Sequence, residues 1–119
     1  DGRQLRDFTY VDDAVEAYEK ALEFRPKYVQ AWRVLGSLYA QTEQPQKGIE
    51  ALQQALALDP QASNAWDTHR MLAVLYGRLG QQDVALTHAQ QALQTAPDDQ
   101  QGNLEQLLAQ LQGSGAAGD

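Results

Sequence analysis

The chain has 119 residues, with nine Lys and Arg against sixteen Asp and Glu, for a formal net charge of −7. This balance disfavours nucleic acid and anionic membranes as partners, because phosphate binding needs clustered basic residues, and no apolar run reaches the ~20 residues of a membrane-spanning helix. The absence of cysteine excludes disulfides and leaves the compartment open between cytoplasm and periplasm.

The first predicted element is a helix over about residues 12–24, where apolar residues recur at the helical spacing of three and four. Residues 3–9 supply only Leu5 and Phe8 as apolar groups, so we expect them to be the remnant of a partner helix that covers this element incompletely. An open apolar face tends to find a partner. We therefore expect weak homo-oligomerisation through the N-terminal end, with Val15, Tyr18 and Leu22 as its candidate residues.

A pair of helices is predicted next, over about residues 28–41 and 45–58. Pro45 falls in the first turn of the second of these helices, where the missing N–H costs nothing. A further pair follows over about residues 63–79 and 82–95, separated by Gly80 as a helix C-cap. Asn64 and Asp67 form an N-cap pattern, so this pair should begin about one turn early and carry Trp66 on the extra turn.

The last predicted helix covers residues 98–112 and has leucines on one face, at positions 104, 107, 108 and 111. Asp98 and Asp99 mark its start and Gly113 its stop. We expect it to cap the preceding helix pair, and we expect residues 113–119 to form a flexible tail.

An internal repeat underlies these elements. Pro26, Pro60 and Pro97 each close a segment, at spacings of 34 and 37 residues, and the same two spacings separate Ala14, Gly48 and Ala85, and Ala21, Ala55 and Ala92. A period in the thirties is typical of solenoids built from stacked helical hairpins.

The repeat resembles the tetratricopeptide family, whose unit is a pair of antiparallel helices. The middle copy carries the resemblance most fully, with Trp32, Leu35, Gly36 and Tyr39 on the first helix and Gly48, Leu52, Ala55 and Pro60 on and after the second. The third copy keeps Leu72, Ala73, Tyr76, Ala85, Ala89, Ala92 and Pro97. The resemblance implies an all-α, right-handed solenoid of about two and a half repeats plus a capping helix.

The repeat boundaries follow from this resemblance. One domain is expected over residues 1–112, with the second helix of repeat 1 at 10–27, repeat 2 at 28–61, repeat 3 at 62–97 and the capping helix at 98–112. The chain starts in the middle of a repeat and so looks like a fragment, and its style suggests a bacterial protein. Small residues at Gly36 and Ala73, facing Gly48 and Ala85, should let the helices of each hairpin approach closely.

The family also implies a function, which is to present a concave groove to a peptide or partner protein. Its groove is lined by the first helix of each repeat, which gives the candidate partner-binding residues Arg33, Ser37, Arg70, Val74 and Arg78. Arginines in series on an acidic chain would favour an acidic ligand, although they could instead only pair with nearby acids such as Asp67. The alternatives are an accessory docking segment of a larger enzyme or membrane-associated complex, and a self-assembling structural subunit.

Other chemistry finds little support in the sequence. The carboxylate clamp by which some family members hold chaperone tails does not carry over, since Val34, Asp67 and Met71 stand where it needs Asn, Lys and Arg. No catalytic motif occurs, so we expect no enzyme, cofactor or metal. His69 and His88 are interpreted as a hairpin residue and a solvent-facing residue. Trp32 is interpreted as core, and Trp66 is left open between core and ligand stacking.

Overall fold

A computed structural model describes the backbone of residues 2–117 and the side chains of residues 10–113. Within this part of the chain it contains six α-helices and no strand, which confirms the all-α class. The helices are α1 (Gly2–Phe24), α2 (Val29–Gln41), α3 (Pro45–Leu58), α4 (Ala65–Arg78), α5 (Gln82–Thr95) and α6 (Asp98–Ala117). They divide into two compact units, Asp1–Leu58 and Asp59–Asp119.

The first unit is built from α1, α2 and α3, with α2 packed against both of the others. Its core consists of the buried residues Leu22, Ala31, Leu35, Tyr39 and Ala51, with Val15, Tyr18 and Trp32 packed against them. The apolar residues of α2 recur at helical spacing, so α2 can pack against α1 and α3 at the same time. The predicted amphipathic pattern of this hairpin therefore corresponds to a real interior.

Gly36 brings α2 and α3 together. A Cβ atom built on this residue would lie 2.6 Å from Cγ of Leu52 and 3.3 Å from the carbonyl oxygen of Gly48. Leu52 is fully buried, so its side chain has little room to retreat. The expectation that a small residue at Gly36 allows close helix approach is confirmed by this geometry.

Two matching turns connect the helices of the hairpins, one in each unit. After α2, the N–H of Glu43 donates to Ala40 O and that of Gln44 to Tyr39 O, and Glu43 has a φ of 59°. After α4, Gly80 donates to Gly77 O and Gln81 to Tyr76 O, and Gly80 has a φ of 80°. These are the paired bonds that end a helix at a left-handed residue. Gly80 therefore ends its helix as expected, whereas the equivalent turn uses Glu43.

The second unit is built from α4, α5 and α6, with α5 in the middle. One cluster combines Ala73, Ala85, Ala89 and Leu111 with Tyr76, Leu86, Leu107 and Leu108, and a second combines Ala92, Ala96 and Leu104 with Trp66, Leu93 and Leu107. Alanines on α5 thus face two helices, and leucines of α6 fill the space beside them. The leucine face of the last helix packs against the hairpin that precedes it.

Three details differ from the sequence predictions. Residues 2–9 continue α1 instead of forming a separate remnant helix, because no Gly or Pro between Gly2 and Pro26 ends it. Likewise α6 passes Gly113 and runs to Ala117, so the predicted tail begins helical. A glycine lowers helix propensity by about 1 kcal/mol but does not by itself stop a helix. Residues 118–119 of that tail lie outside the described residues.

The third difference concerns the three extra residues of the third repeat. α4 starts at Ala65, seven residues before Leu72, and α2 starts six residues before Leu35. Only one extra residue therefore lengthens the helix, and the other two lie in the connection over residues 59–64. Asn64 occupies the N-cap position, but its side chain makes no capping hydrogen bond.

Candidate functional site

On α2, the candidate groove residues Arg33 and Ser37 lie one turn apart and are half-buried. The Arg33 guanidinium donates a hydrogen bond from Nη1 to Oε1 of Gln30, at 3.1 Å. The side chains that α2 buries are others, namely Ala31, Leu35, Gly36 and Tyr39. Arg33 and Ser37 therefore remain within reach of a ligand on a face that the core does not use.

On α4, the candidates Arg70, Val74 and Arg78 recur every four residues and so share one face. Arg70 and Val74 are half-buried and Arg78 is exposed. Nε and Nη2 of Arg70 both lie 2.8 Å from Oδ1 of Asp67. The pairing with Asp67 that the sequence left open is thus present, and it neutralises part of the positive charge on this face.

The first unit also contains a cleft of about 570 Å³ that the sequence did not indicate. It is lined by Glu19, Trp32, Leu35, Tyr39, Lys47, Glu50, Ala51 and Gln54. The Tyr39 hydroxyl donates a hydrogen bond to Glu19, and the Lys47 ammonium lies 5.7 Å from the centre of the Tyr39 ring. Burial, this hydrogen bond and the charges of Glu19 and Glu50 raise the pKa of Tyr39 to about 12. Tyr39 therefore stays protonated and serves as a structural donor between α1 and α2.

The two histidines meet in the second unit, although they are nineteen residues apart in the sequence. Nδ1 of His69 on α4 lies 2.9 Å from Nδ1 of His88 on α5. The Tyr76 ring stacks on His88 with 5.7 Å between ring centres. The interpretation of His88 as solvent-facing is wrong, because its ring is half-buried between these two side chains. Burial lowers the pKa of both histidines, and the neighbouring His69 lowers the pKa of His88 further.

The Nδ1 to Nδ1 distance is that of a hydrogen bond between the two rings. One ring must donate the proton and the other must accept it, so at least one histidine is neutral. A third ligand is missing: across the described residues, no group of three or more His, Cys, Asp or Glu is placed to hold a metal ion. The contact between the two rings links α4 to α5.

Both tryptophans are half-buried and pack against the core of their own unit. Trp32 is half-buried against the core of the first unit and donates from Nε1 to the carbonyl oxygen of Pro26, at 2.8 Å. Trp66 packs against Ala92, Ala96 and Leu104. Trp66 is therefore a half-buried residue at the edge of this core, which favours the packing interpretation over ligand stacking.

The candidate association face needs correction. Val15, Tyr18 and Leu22 pack into the core of the first unit, and Leu22 is buried. Their side of α1 faces α2, so it is covered within the chain itself. The exposed large apolar residues of this unit include Tyr10 and Phe24, also on α1. The sequence predicted an open face at Val15, Tyr18 and Leu22, and these residues instead pack against the core of the unit, because α1 has apolar residues on two sides and the pattern alone does not show which side α2 covers.

No helix in the described residues combines the length and apolar character that a membrane span requires.

A family model described as the tetratricopeptide repeat matches residues 2–63, which is more than half of the chain. Among curated proteins, the chain is similar to the peroxisomal targeting signal receptors of two yeasts. It is 34% identical to that of Komagataella phaffii over 89 residues, covering 75% of this chain and 15% of the receptor. It is 38% identical to that of Saccharomyces cerevisiae over 66 residues, covering 56% of this chain and 10% of the receptor. The chain thus spans a small part of these relatives.

Solved structures with a similar fold are also known. The crystal structure of MamA matches with a TM-score of 0.81 at 22% identity, covering 97% of this chain and 64% of MamA. A thermophilic protein of Thermus thermophilus, described as a protein of the same repeat type, matches with a TM-score of 0.73 at 29% identity, covering 89% of this chain and 52% of its own. The first of these likenesses concerns the fold alone.

Proposed function

The chain belongs to the tetratricopeptide repeat family of protein-interaction scaffolds, and we propose that it binds acidic peptide segments through the face of α2 and the face of α4 that carry its arginines. In this proposal the chain is a binding scaffold without chemistry of its own. The binding residues are Arg33 and Ser37 on α2, and Arg70, Val74 and Arg78 on α4. The similar yeast proteins are named receptors for a targeting signal, which favours a peptide as the ligand.

The observation that carries the proposal is that these helices bury one face in their own unit and leave another face at least partly open. α4 buries Ala65, Thr68, Leu72, Ala73 and Leu75 in its own unit and leaves the Arg70, Val74 and Arg78 face at least partly open. Arginines that are at least partly exposed, on a chain of net charge −7, give a local attraction for carboxylates, which guanidinium groups bind with two hydrogen bonds.

Asp67 competes with such a ligand, because it already accepts two bonds from Arg70. A peptide carboxylate that binds Arg70 must displace Asp67 or share the guanidinium with it. Replacing Asp67 with Asn would remove the competing charge while keeping a similar shape. The Asp67→Asn variant should therefore bind an acidic peptide more tightly than the native chain.

The test uses fluorescence anisotropy with a short labelled peptide rich in Asp and Glu, and with the same peptide carrying Asn and Gln. We expect the acidic peptide to bind, the amide peptide to bind much less, and added salt to weaken binding. The Arg33→Gln, Arg70→Gln double variant should lose this affinity, and Asp67→Asn should gain it.

The control is the Arg25→Gln, Lys27→Gln double variant, which changes the net charge equally outside both faces. It should bind like the native chain. If both double variants lost the same affinity, the effect would be one of overall charge and the proposed faces would be excluded. Equal binding of the acidic and amide peptides would exclude an acidic ligand.

A further inference from the structure

We propose that two copies of this chain associate through an open face of α1, side by side and antiparallel, with Ala17 next to the two-fold axis. The open α1 face consists of Tyr10, Ala14, Ala17, Ala21 and Phe24. These positions are spaced alternately by four and three residues, which places them in one stripe along the helix, as in helices that pair lengthwise. The proposal goes beyond peptide binding and uses a different helix.

The open α1 face is apolar yet accessible. Tyr10 is 79% exposed and Phe24 is 86% exposed, Ala17 is exposed, and Ala14 and Ala21 are partly so. Two large, exposed aromatic side chains at the ends of a row of alanines are unusual on a surface that stays in water. The residues of α1 that pack against α2, namely Val15, Tyr18 and Leu22, lie about a third of a turn away around the helix, so a second helix can reach this stripe without disturbing the core.

The residue sizes along the stripe suit an antiparallel pair. Three alanines in the middle allow the backbones of two helices to approach closely, and the aromatic residues lie at the ends. Reversing one helix about Ala17 places Tyr10 of one copy opposite Phe24 of the other. The stripe is therefore close to self-complementary, which an interface with two-fold symmetry requires.

The charges beside the stripe favour a second copy as the occupant and fix its direction. Asp13 and Lys20 lie on the same edge of the open α1 face, on either side of Ala17 and at nearly equal distances along the helix. In the antiparallel pair, Asp13 of each copy lies beside Lys20 of the other, and symmetry makes this contact twice. In a parallel two-fold pair these edges would lie on opposite sides of the interface, so neither Asp13 nor Lys20 would gain a partner from the second copy.

Lys20 is available for this contact. Its ammonium lies 3.7 Å from Oε1 of Glu16, and both side chains are about two-thirds exposed, at 68% and 65%. An exposed pair of this kind is weak, so Lys20 can turn to Asp13 of the second copy at little cost. The stripe is only about 21 Å long, so a dimer would bury less surface area than a standard interface does. The association should therefore be weak and reversible.

The first test is cysteine cross-linking, which is clean because the chain has no cysteine. In the Ala17→Cys variant the two thiols of a dimer lie close together beside the axis and should form an intermolecular disulfide readily. The matched control is Ala109→Cys, which replaces another exposed alanine inside a helix, on α6. We expect the Ala17→Cys variant to cross-link at least about tenfold faster than the control, since symmetry raises the local thiol concentration.

The second test is charge exchange, followed by sedimentation velocity over a wide range of concentrations. Asp13→Lys alone, or Lys20→Asp alone, creates two like-charge contacts and should weaken the dimer about tenfold. The Asp13→Lys, Lys20→Asp double variant recreates both contacts with the signs reversed and should restore the dimer. Ala17→Lys should prevent dimerisation without loss of helicity, because residue 17 is exposed and lysine is a good helix former.

Each result has a definite meaning. Restoration of the dimer by the double exchange, together with selective cross-linking at residue 17, would establish the antiparallel pair. A native chain that stays monomeric at every concentration, with the Ala17→Cys variant cross-linking no faster than Ala109→Cys, would overturn the proposal. Dimers that persist unchanged in Ala17→Lys would also overturn it, because the contact would then lie elsewhere on the chain.

Discussion

At the scale of single residues, the contact between α2 and α3 depends on the lack of a side chain at Gly36. A Cβ on Gly36 would lie 2.6 Å from Leu52 Cγ, whereas one on Gly102 in α6 would meet nothing within 4 Å. Both glycines are inside helices, where alanine has the better propensity by about 1 kcal/mol. Because their surroundings differ, replacement by alanine should change the free energy of unfolding in opposite directions at the two positions.

We predict that Gly36→Ala lowers the free energy of unfolding by about 1–3 kcal/mol, because the added methyl group overpacks the contact between α2 and α3. Gly102→Ala is the matched control and should raise it by about 0.5–1 kcal/mol. Urea unfolding followed by circular dichroism measures both changes. A Gly36→Ala variant as stable as Gly102→Ala would show that Leu52 can move aside, and that the two helices are not held at this distance by Gly36.

At the scale of elements, the pair formed by His69 and His88 joins α4 to α5. Its hydrogen bond requires a neutral ring, and the pKa of each histidine is lowered mainly by burial. The unfolded chain, with an ordinary histidine pKa near ~6.5, therefore binds more protons than the folded chain in the pH range just below that value. By linkage, the contribution of the neutral histidine pair to the free energy of unfolding is fully present above pH ~6.5 and is lost as the pH falls towards the folded pKa values.

We predict that the chain loses stability between pH 7 and pH ~5, and that a His69→Gln, His88→Gln double variant loses less over the same interval. The two glutamines keep polar groups at the contact but do not titrate, and the carboxylates contribute equally to both proteins. Urea unfolding at each pH gives the comparison. If the native chain and the variant lost equal stability on acidification, the histidine pair would have no part in it.

At the scale of the whole molecule, the two proposed surfaces lie on different helices. The peptide is expected on the faces of α2 and α4 that carry Arg33 and Arg70, and the second copy on the open face of α1. None of the residues proposed for one surface is needed for the other. A scaffold of this kind could associate with itself and still bind its ligand.

We therefore predict that the two activities separate by mutation. Ala17→Lys should bind the acidic peptide with the affinity of the native chain, and the Arg33→Gln, Arg70→Gln variant should dimerise as the native chain does. Anisotropy and sedimentation on the same two proteins supply the four measurements. Loss of peptide binding in Ala17→Lys would mean that the surfaces are coupled, and that dimerisation contributes to the binding site.

Much of the fold could be predicted from the sequence because it depends on neighbours in the chain. α3 begins at Pro45 and α5 ends before Pro97, because proline is tolerated in a first turn and rarely inside a helix. Helical spacing of apolar residues located the other helices to within a few residues, except at the start of α1, which begins about ten residues earlier, and at the end of α6, where glycine was taken as a stop. The repeat of these local signals also identified the family.

The candidate site depended more on contacts between helices, which a linear pattern does not specify. α1 carries apolar residues on two sides, and only its packing on α2 decided that Val15, Tyr18 and Leu22 are covered while Tyr10 and Phe24 are exposed. The contact of His69 with His88 likewise follows from the rotation of α4 and α5 about their own axes. Spacing along one helix determines which residues share a face, and the tertiary structure decides what that face meets.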